Sequence, residues 1–164
     1  MFKRLVRFLA VLFMALLVSC SRSSGPPYSP QAALKTLRIE PGFHIELFAS
    51  EPQISDPVAL DFDEDGRIYV VEMHGYPLDI GPSGKVKLLR DTDGDGHPDL
   101  TTVFADGLVM PTGVMRWKKG VLVTAAPDIL YFEDSDGDGR ANVTMVDLDE
   151  DGVMDITVDG DGGR

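Results

Sequence analysis

PVALDFDEDGRIYVVE, Pro57 to Glu72, is the stretch whose reading decides the fold. PVAL and IYVV are rich in β-branched or aromatic residues and alternate as strands do, while Asp63 to Gly66 has the composition of a turn. The same residues satisfy the EF-hand pattern from Asp61, with Gly66 at the sixth position and Glu72 at the twelfth. An EF-hand needs a helix on either side, and neither flank has a helical period. The segment is therefore read as a β-hairpin whose second strand ends at Glu72.

The hairpin recurs. Pro111 to Ala126, PTGVMRWKKGVLVTAA, aligns with it at a shift of 54 residues, placing Gly120 on Gly66 and Thr124 on Val70. Each copy is followed by a short strand that runs into an acidic turn, VKLLRDTDGDG from Val86 and ILYFEDSDGDG from Ile129, now 43 apart. The insertion around His74 to Gly84 takes up the difference. A repeat of about 40 to 50 residues made of short antiparallel strands is the signature of a β-propeller blade. The expected fold is all-β: a partial β-propeller of two to three blades over residues 41–142, with DxDxDG hairpin loops and a preceding signal helix. Propellers close with at least four blades, so the stop at Asp161-Gly162-Gly163-Arg164, inside another acidic turn, reads as truncation.

The acidic turns gather carboxylates on one point, an arrangement that suits a hard cation. Three loops place oxygens at positions one, three, five and nine: Asp91, Asp93, Asp95 and Asp99; Asp134, Asp136, Asp138 and Asn142; Asp147, Asp149, Asp151 and Asp155. Gly96, Gly139 and Gly152 occupy the sixth position, where a sharp turn is needed. Thr102, Met145 and Val158 stand where an EF-hand has its bidentate Glu. The loops look like the DxDxDGxxD calcium loops of integrin-type repeats, and calcium is the expected ligand; a plain solvated acidic turn is the competing reading. Residues 143–164 are read as an acidic, calcium-loop-like tail.

Lys3, Arg4 and Arg7 precede an apolar run, Phe8 to Val18, too short to span a bilayer. The run ends in Leu17-Val18-Ser19-Cys20, which resembles the bacterial lipobox and makes residues 1–19 a lipoprotein signal peptide, with Cys20 lipidated. An ordinary signal peptide with a chance cysteine is the alternative. Ser21 after the Cys would suggest the outer membrane. Ser, Gly and Pro dominate the start of a tether over residues 20–40, with room for a helical turn at Gln31 to Arg38. The expected location is exported and lipid-anchored on the periplasmic side. Net charge is −12 over 164 residues, which argues against nucleic acid as a partner. One cysteine permits neither an intramolecular disulfide nor a CxxCH haem site, so no haem is expected in this chain.

Of the three histidines, His97 sits where a calcium loop uses its backbone carbonyl, and His44 lies in an alternating segment read as a surface strand. His74 follows Glu72 and precedes Gly75-Tyr76-Pro77, in a position suited to lining a propeller funnel, and is the candidate catalytic residue. Arg116 and Trp117 are candidates for the same funnel, with strand packing an equal explanation for Trp117.

ELFASEPQISDPVALDFDEDGRIYVVEMHGYP (Glu46 to Pro77), LLRDTDGDG (Leu88 to Gly96), TVFADGLVMPTGV (Thr102 to Val114) and TAAPDILYFEDSDGDGRA (Thr124 to Ala141) resemble the N-terminal propeller of membrane-bound dehydrogenases of planctomycetes and verrucomicrobia. That family is in turn similar to quinoprotein sugar dehydrogenases. The resemblance implies pyrroloquinoline quinone as cofactor, a sugar or alcohol as substrate and a c-type cytochrome as electron acceptor. It carries over no catalytic residue, since the family's catalytic His and quinone-binding residues lie largely on later blades. The expectation from it is a fragment of a periplasmic dehydrogenase, inactive alone; the rival is a non-enzymatic, calcium-stabilised module binding a polysaccharide or protein. A gene continuing in frame through further blades and CxxCH would separate the two.

Overall fold

The computed structural model describes residues 25–146 and 155–157. The expected signal peptide, its signal helix and Cys20 lie outside the described residues. The chain divides into two compact units, Met1–Ile45 and Glu46–Arg164. The described part of the first holds one helix, α1 (Pro30–Leu34), of five residues. Its start is set locally: Ser29 caps it, accepting from the Ala32 N–H at 3.3 Å, and proline opens the first turn. It falls within the expected tether. No strand forms around His44, which is exposed.

The second unit is built from two antiparallel meanders. β1 (Pro57–Phe62), β2 (Ile68–Glu72), β3 (Gly84–Arg90) and β4 (Leu100–Leu108) form one sheet in chain order. The second contains β5 (Pro111–Trp117), β6 (Gly120–Ala125), β7 (Asp128–Glu133), β8 (Val143–Val146) and β9 (Asp155–Thr157). The repeat seen in the sequence is a repeat of geometry. β1 pairs with β2 through Pro57↔Glu72 and β5 with β6 through Pro111↔Ala125, and each ladder slips once, between Pro57 and Ala59 and between Pro111 and Gly113.

Alternation places Tyr69, Val71, Val86, Leu88 and Phe104 of the first sheet in one cluster with Val121, Val123 and Phe132 of the second. Tyr69 meets Phe104 edge to face at 5.0 Å, and Val71, Val86, Val121 and Val123 have no exposed surface. On its other face the first sheet buries Ile68, Val70 and Leu89 beneath Ala49 and Ile54. Burial raises the Tyr69 phenol above its ordinary range. Arg116 ties the sheets together at the turn. Its N–H donates to Asp61 Oδ2 at 2.6 Å, its guanidinium grips Glu64 at 3.1 and 2.9 Å, and Nη1 donates to the Gly120 carbonyl at 2.6 Å. Trp117 stands edge-on against Tyr131, 5.6 Å between centroids. Burial and a hydrogen bond to Glu133 push the Tyr131 phenol up to about 12.

The all-β content is present, but the partial propeller is corrected. The two sheets are open and do not curl toward closure among the described residues. Hairpin periodicity specifies strands and their pairing. Closure depends on how successive sheets rotate about a common axis, which a pattern of alternating apolar residues does not encode. Arg116 accordingly serves the junction between the two sheets, while Trp117 packs against Tyr131 within the second.

Candidate cation-binding loops

The EF-hand-like segment is a hairpin turn. Asp63 and Arg67 pair across it, Asp63 N–H to the Arg67 carbonyl at 3.0 Å, and the Asp63 carboxylate accepts from the Asp65 and Arg67 N–H groups and from Arg67 Nε at 2.6 Å. These bonds raise the Arg67 guanidinium against the opposing effect of burial. Glu72 ends β2 wholly buried and far from the turn's carboxylates, so it closes no metal loop.

The acidic loops joining β3 to β4 and β7 to β8 share one geometry. Asp91 accepts the Gly94 N–H on Oδ1 at 2.7 Å and the Gly96 N–H on Oδ2 at 2.8 Å; Asp134 does the same with Gly137 and Gly139 at 2.7 and 2.9 Å. Asp93 and Asp136 each accept from the N–H two residues on, as do Asp95 and Asp138. Such local bonds make each loop fold on itself without an ion. They also bring Asp91, Asp93 and Asp95 together, and Asp134, Asp136 and Asp138, with a carboxylate oxygen of each within 4.8 Å of the others. The Gly96 and Gly94 N–H groups hold the Asp91 carboxyl below its usual range, so it is ionised at neutral pH. Every carboxylate oxygen keeps a lone pair beyond its backbone bond, and hard oxygens of this kind fit calcium or another hard divalent cation.

The ninth-position residues brace the neck of each loop. Asp99 accepts from Thr92 N–H and Oγ1 at 3.1 and 2.6 Å, and Asn142 Oδ1 accepts from Ser135 N–H at 2.9 Å, closing the neck of each loop. Thr92 was missed as a brace, although its hydroxyl directly follows the first Asp; Ser135 braces through its backbone N–H, which its residue type does not announce. Of the third set, Asp147, Asp149 and Asp151 lie outside the described residues, and Asp155 opens β9 opposite Val146. His97 is exposed on the first loop.

The second loop is also pinned to the first sheet. Thr102 Oγ1 donates to the Gly139 carbonyl at 3.1 Å and Ala141 N–H to the Phe104 carbonyl at 2.8 Å. Arg90 lies against Gly139, with Nε and Nη2 buried and without hydrogen-bond partners. A guanidinium there disfavours a second cation, so the second loop is expected to be the weaker site. Gly96 and Gly139 both have φ near +90°, at 89° and 88°, yet a Cβ at Gly96 meets open space while one at Gly139 runs into Arg90. Gly96→Ala is therefore expected to cost about 1–2 kcal/mol, the left-handed penalty alone, and Gly139→Ala measurably more. Urea unfolding of the two variants checks the difference.

His74, the candidate catalytic residue, sits between two carboxylates. Nε2 lies 3.0 Å from Glu72 Oε2 and Nδ1 3.3 Å from Asp56 Oδ2. Glu72 also takes Lys87 Nζ at 2.9 Å and the Ser55 N–H at 2.8 Å. Sequence reasoning missed this four-residue node because its members come from two loops and two strands.

Residues 29–149 match a family described as domain of unknown function (DUF7133). The chain belongs to that family. No curated protein and no solved structure matches the chain. The assignment to membrane-bound quinoprotein dehydrogenases is thereby corrected, and with it the dehydrogenase fragment. Pyrroloquinoline quinone is withdrawn as a cofactor on the fold itself, because the described residues form two open sheets and no closed propeller around which a quinone funnel is built. The dehydrogenase reading rested on strand, turn and DGDG motifs. Those motifs specify hairpins and acidic loops, which any protein with this local chemistry shares.

Proposed function

We propose that the domain is a non-enzymatic binding module whose two acidic loops are stapled by divalent cations, calcium first among them, and which presents a rigid face to a polysaccharide or protein. The observation that carries it is the duplicated loop: two sets of three aspartates, at equivalent ends of two repeated sheets, with the same backbone bonds and the same carboxylate convergence. The charged groups of the rest of the domain support a scaffold. Glu72, Lys87, His74 and Arg116 are all engaged in holding strands and turns. The sequence of the leader supports export and a lipid anchor on Cys20, placing the module on the periplasmic side of a membrane, with Ser21 in favour of the outer one. No helix among the described residues is long and apolar enough to cross a membrane.

Calorimetric titration of calcium into the chelator-stripped protein should show binding that the double variant Asp93→Ala, Asp136→Ala weakens at least tenfold, about 1.4 kcal/mol in binding free energy. Unchanged affinity would remove the loops as the site. Mass spectrometry of membrane-fraction protein should find Cys20 acylated.

A further inference from the structure

The insertion that separates the two repeats carries a second feature. Tyr76, Leu78 and Ile80 are 63%, 96% and 66% exposed, so three large apolar side chains protrude at alternate positions from one short loop. The loop is built. Leu78 and Asp79 N–H groups donate to the Gly75 carbonyl at 2.9 and 2.8 Å, and Ser83 Oγ donates to the His74 carbonyl at 3.0 Å. Asp79, the one acid between Tyr76 and Ser83, accepts the Gly81 N–H at 2.8 Å. At one foot, His74 is held by Glu72 and Asp56. Three exposed apolar side chains on one ordered loop form an apolar cluster suited to contact with another surface.

At the base of the loop is an open hollow of about 500 Å³ lined by His74, Pro82, Ser83, Lys85, Asp106 and Gly107. Among the described residues, the side chains of Lys85 and Asp106 make no hydrogen bond or ion pair. A convex apolar tip beside one unpaired cation and one unpaired anion complements a surface that is apolar within and zwitterionic at its edge. We propose that the Gly75–Gly81 loop docks on a zwitterionic phospholipid bilayer, with Leu78 and Ile80 below the headgroups, the Tyr76 ring at headgroup level, and Lys85 and Asp106 facing phosphate and ammonium. The net charge of −12 opposes an anionic lipid surface and is indifferent to a neutral one. The proposal rests on the membrane-anchored reading above: a lipid on Cys20 keeps the module next to a bilayer, so a weak loop contact suffices.

Because Cys20 is the only cysteine, the full chain with Cys20→Ser and Leu78→Cys accepts a single environment-sensitive fluorophore at the loop tip. Vesicles of phosphatidylcholine and phosphatidylethanolamine that hold the protein by an amino-terminal hexahistidine tag on a nickel-chelating lipid, in place of the Cys20 acyl chain, should shift its emission to shorter wavelength, and nitroxide-labelled acyl chains should quench it. The same probe at exposed Asp128→Cys should respond to neither. Lys85→Glu or Ile80→Ser should reduce the loop response. A silent probe at position 78 while the protein sediments with vesicles, or a response to added unlabelled protein in place of vesicles, would overturn the proposal. Calorimetry and Cys20 acylation test the parent reading without involving the loop, so the two fail separately.

Discussion

Replacing Glu72 by alanine is expected to lower the unfolding free energy by about 3–5 kcal/mol, the cost of leaving one partner of a buried ion pair alone. Glu72 has no exposed surface, and Lys87, whose Nζ lies 2.9 Å away, has a side chain only 15% exposed. Alanine removes the acceptor for Lys87, for the Ser55 N–H and for His74 together, which detaches the segment before β1 and the foot of the 75–81 loop from β2. Glu72→Gln keeps an acceptor oxygen and should cost less; Glu72→Leu with Lys87→Met removes both charges and should recover part of the loss. Burial alone would raise the Glu72 carboxyl, but the bonds from Lys87, Ser55 and His74 outweigh it and hold the native value below the ordinary range. A depressed native value means stabilisation that is complete above the unfolded carboxyl's range and is lost as pH falls through the native one. The stability gap between wild type and Glu72→Gln, followed by denaturant unfolding, should therefore close toward acid pH. A gap that widens there would contradict the geometry of the node.

Local chemistry was legible in the sequence, and assembly was not. The turn at Asp63 to Gly66, the strand ending at Glu72 and the two Asp-Gly loops each depend on residues within about ten positions, so alternation and glycine placement specify them. The repeat was legible for the same reason, since the slip after Pro57 recurs after Pro111. What a strand pattern leaves open is how many sheets follow and whether the last meets the first. The site divides along the same line. Asp91, Asp93 and Asp95 converge because neighbouring N–H groups turn them inward, whereas Asp99 is seven residues from Thr92 and bonds there. The node of Asp56, Glu72, His74 and Lys87 joins residues as many as 31 positions apart, and nothing in their spacing announces it.

Saturating calcium is expected to raise the stability of the domain by about 5 kcal/mol, from two loops each contributing about 2.7 kcal/mol at a hundredfold excess over its dissociation constant. For a domain of this size that is a rise in the unfolding midpoint on the order of 20 °C. The size follows from what each loop does without the ion. Three carboxylates within 4.8 Å repel one another; backbone N–H groups and the neck bonds of Thr92 and Ser135 oppose that repulsion, joined at the second loop by the neighbouring Arg90 guanidinium. A cation converts the repulsion into attraction and locks the β3–β4 and β7–β8 connections, so the gain appears in folding free energy as well as in binding. Asp93→Ala, in the loop expected to bind more tightly, should remove more than half of the calcium-dependent rise and Asp93→Ala with Asp136→Ala nearly all of it. In the absence of calcium the same substitutions should be neutral or mildly stabilising, because each relieves like-charge crowding. Thermal unfolding in chelator and in calcium separates the contributions. A midpoint indifferent to calcium would leave the loops as turns stabilised by their own backbone bonds, whereas loss in the chelated state would show that the aspartates serve the turn more than the ion.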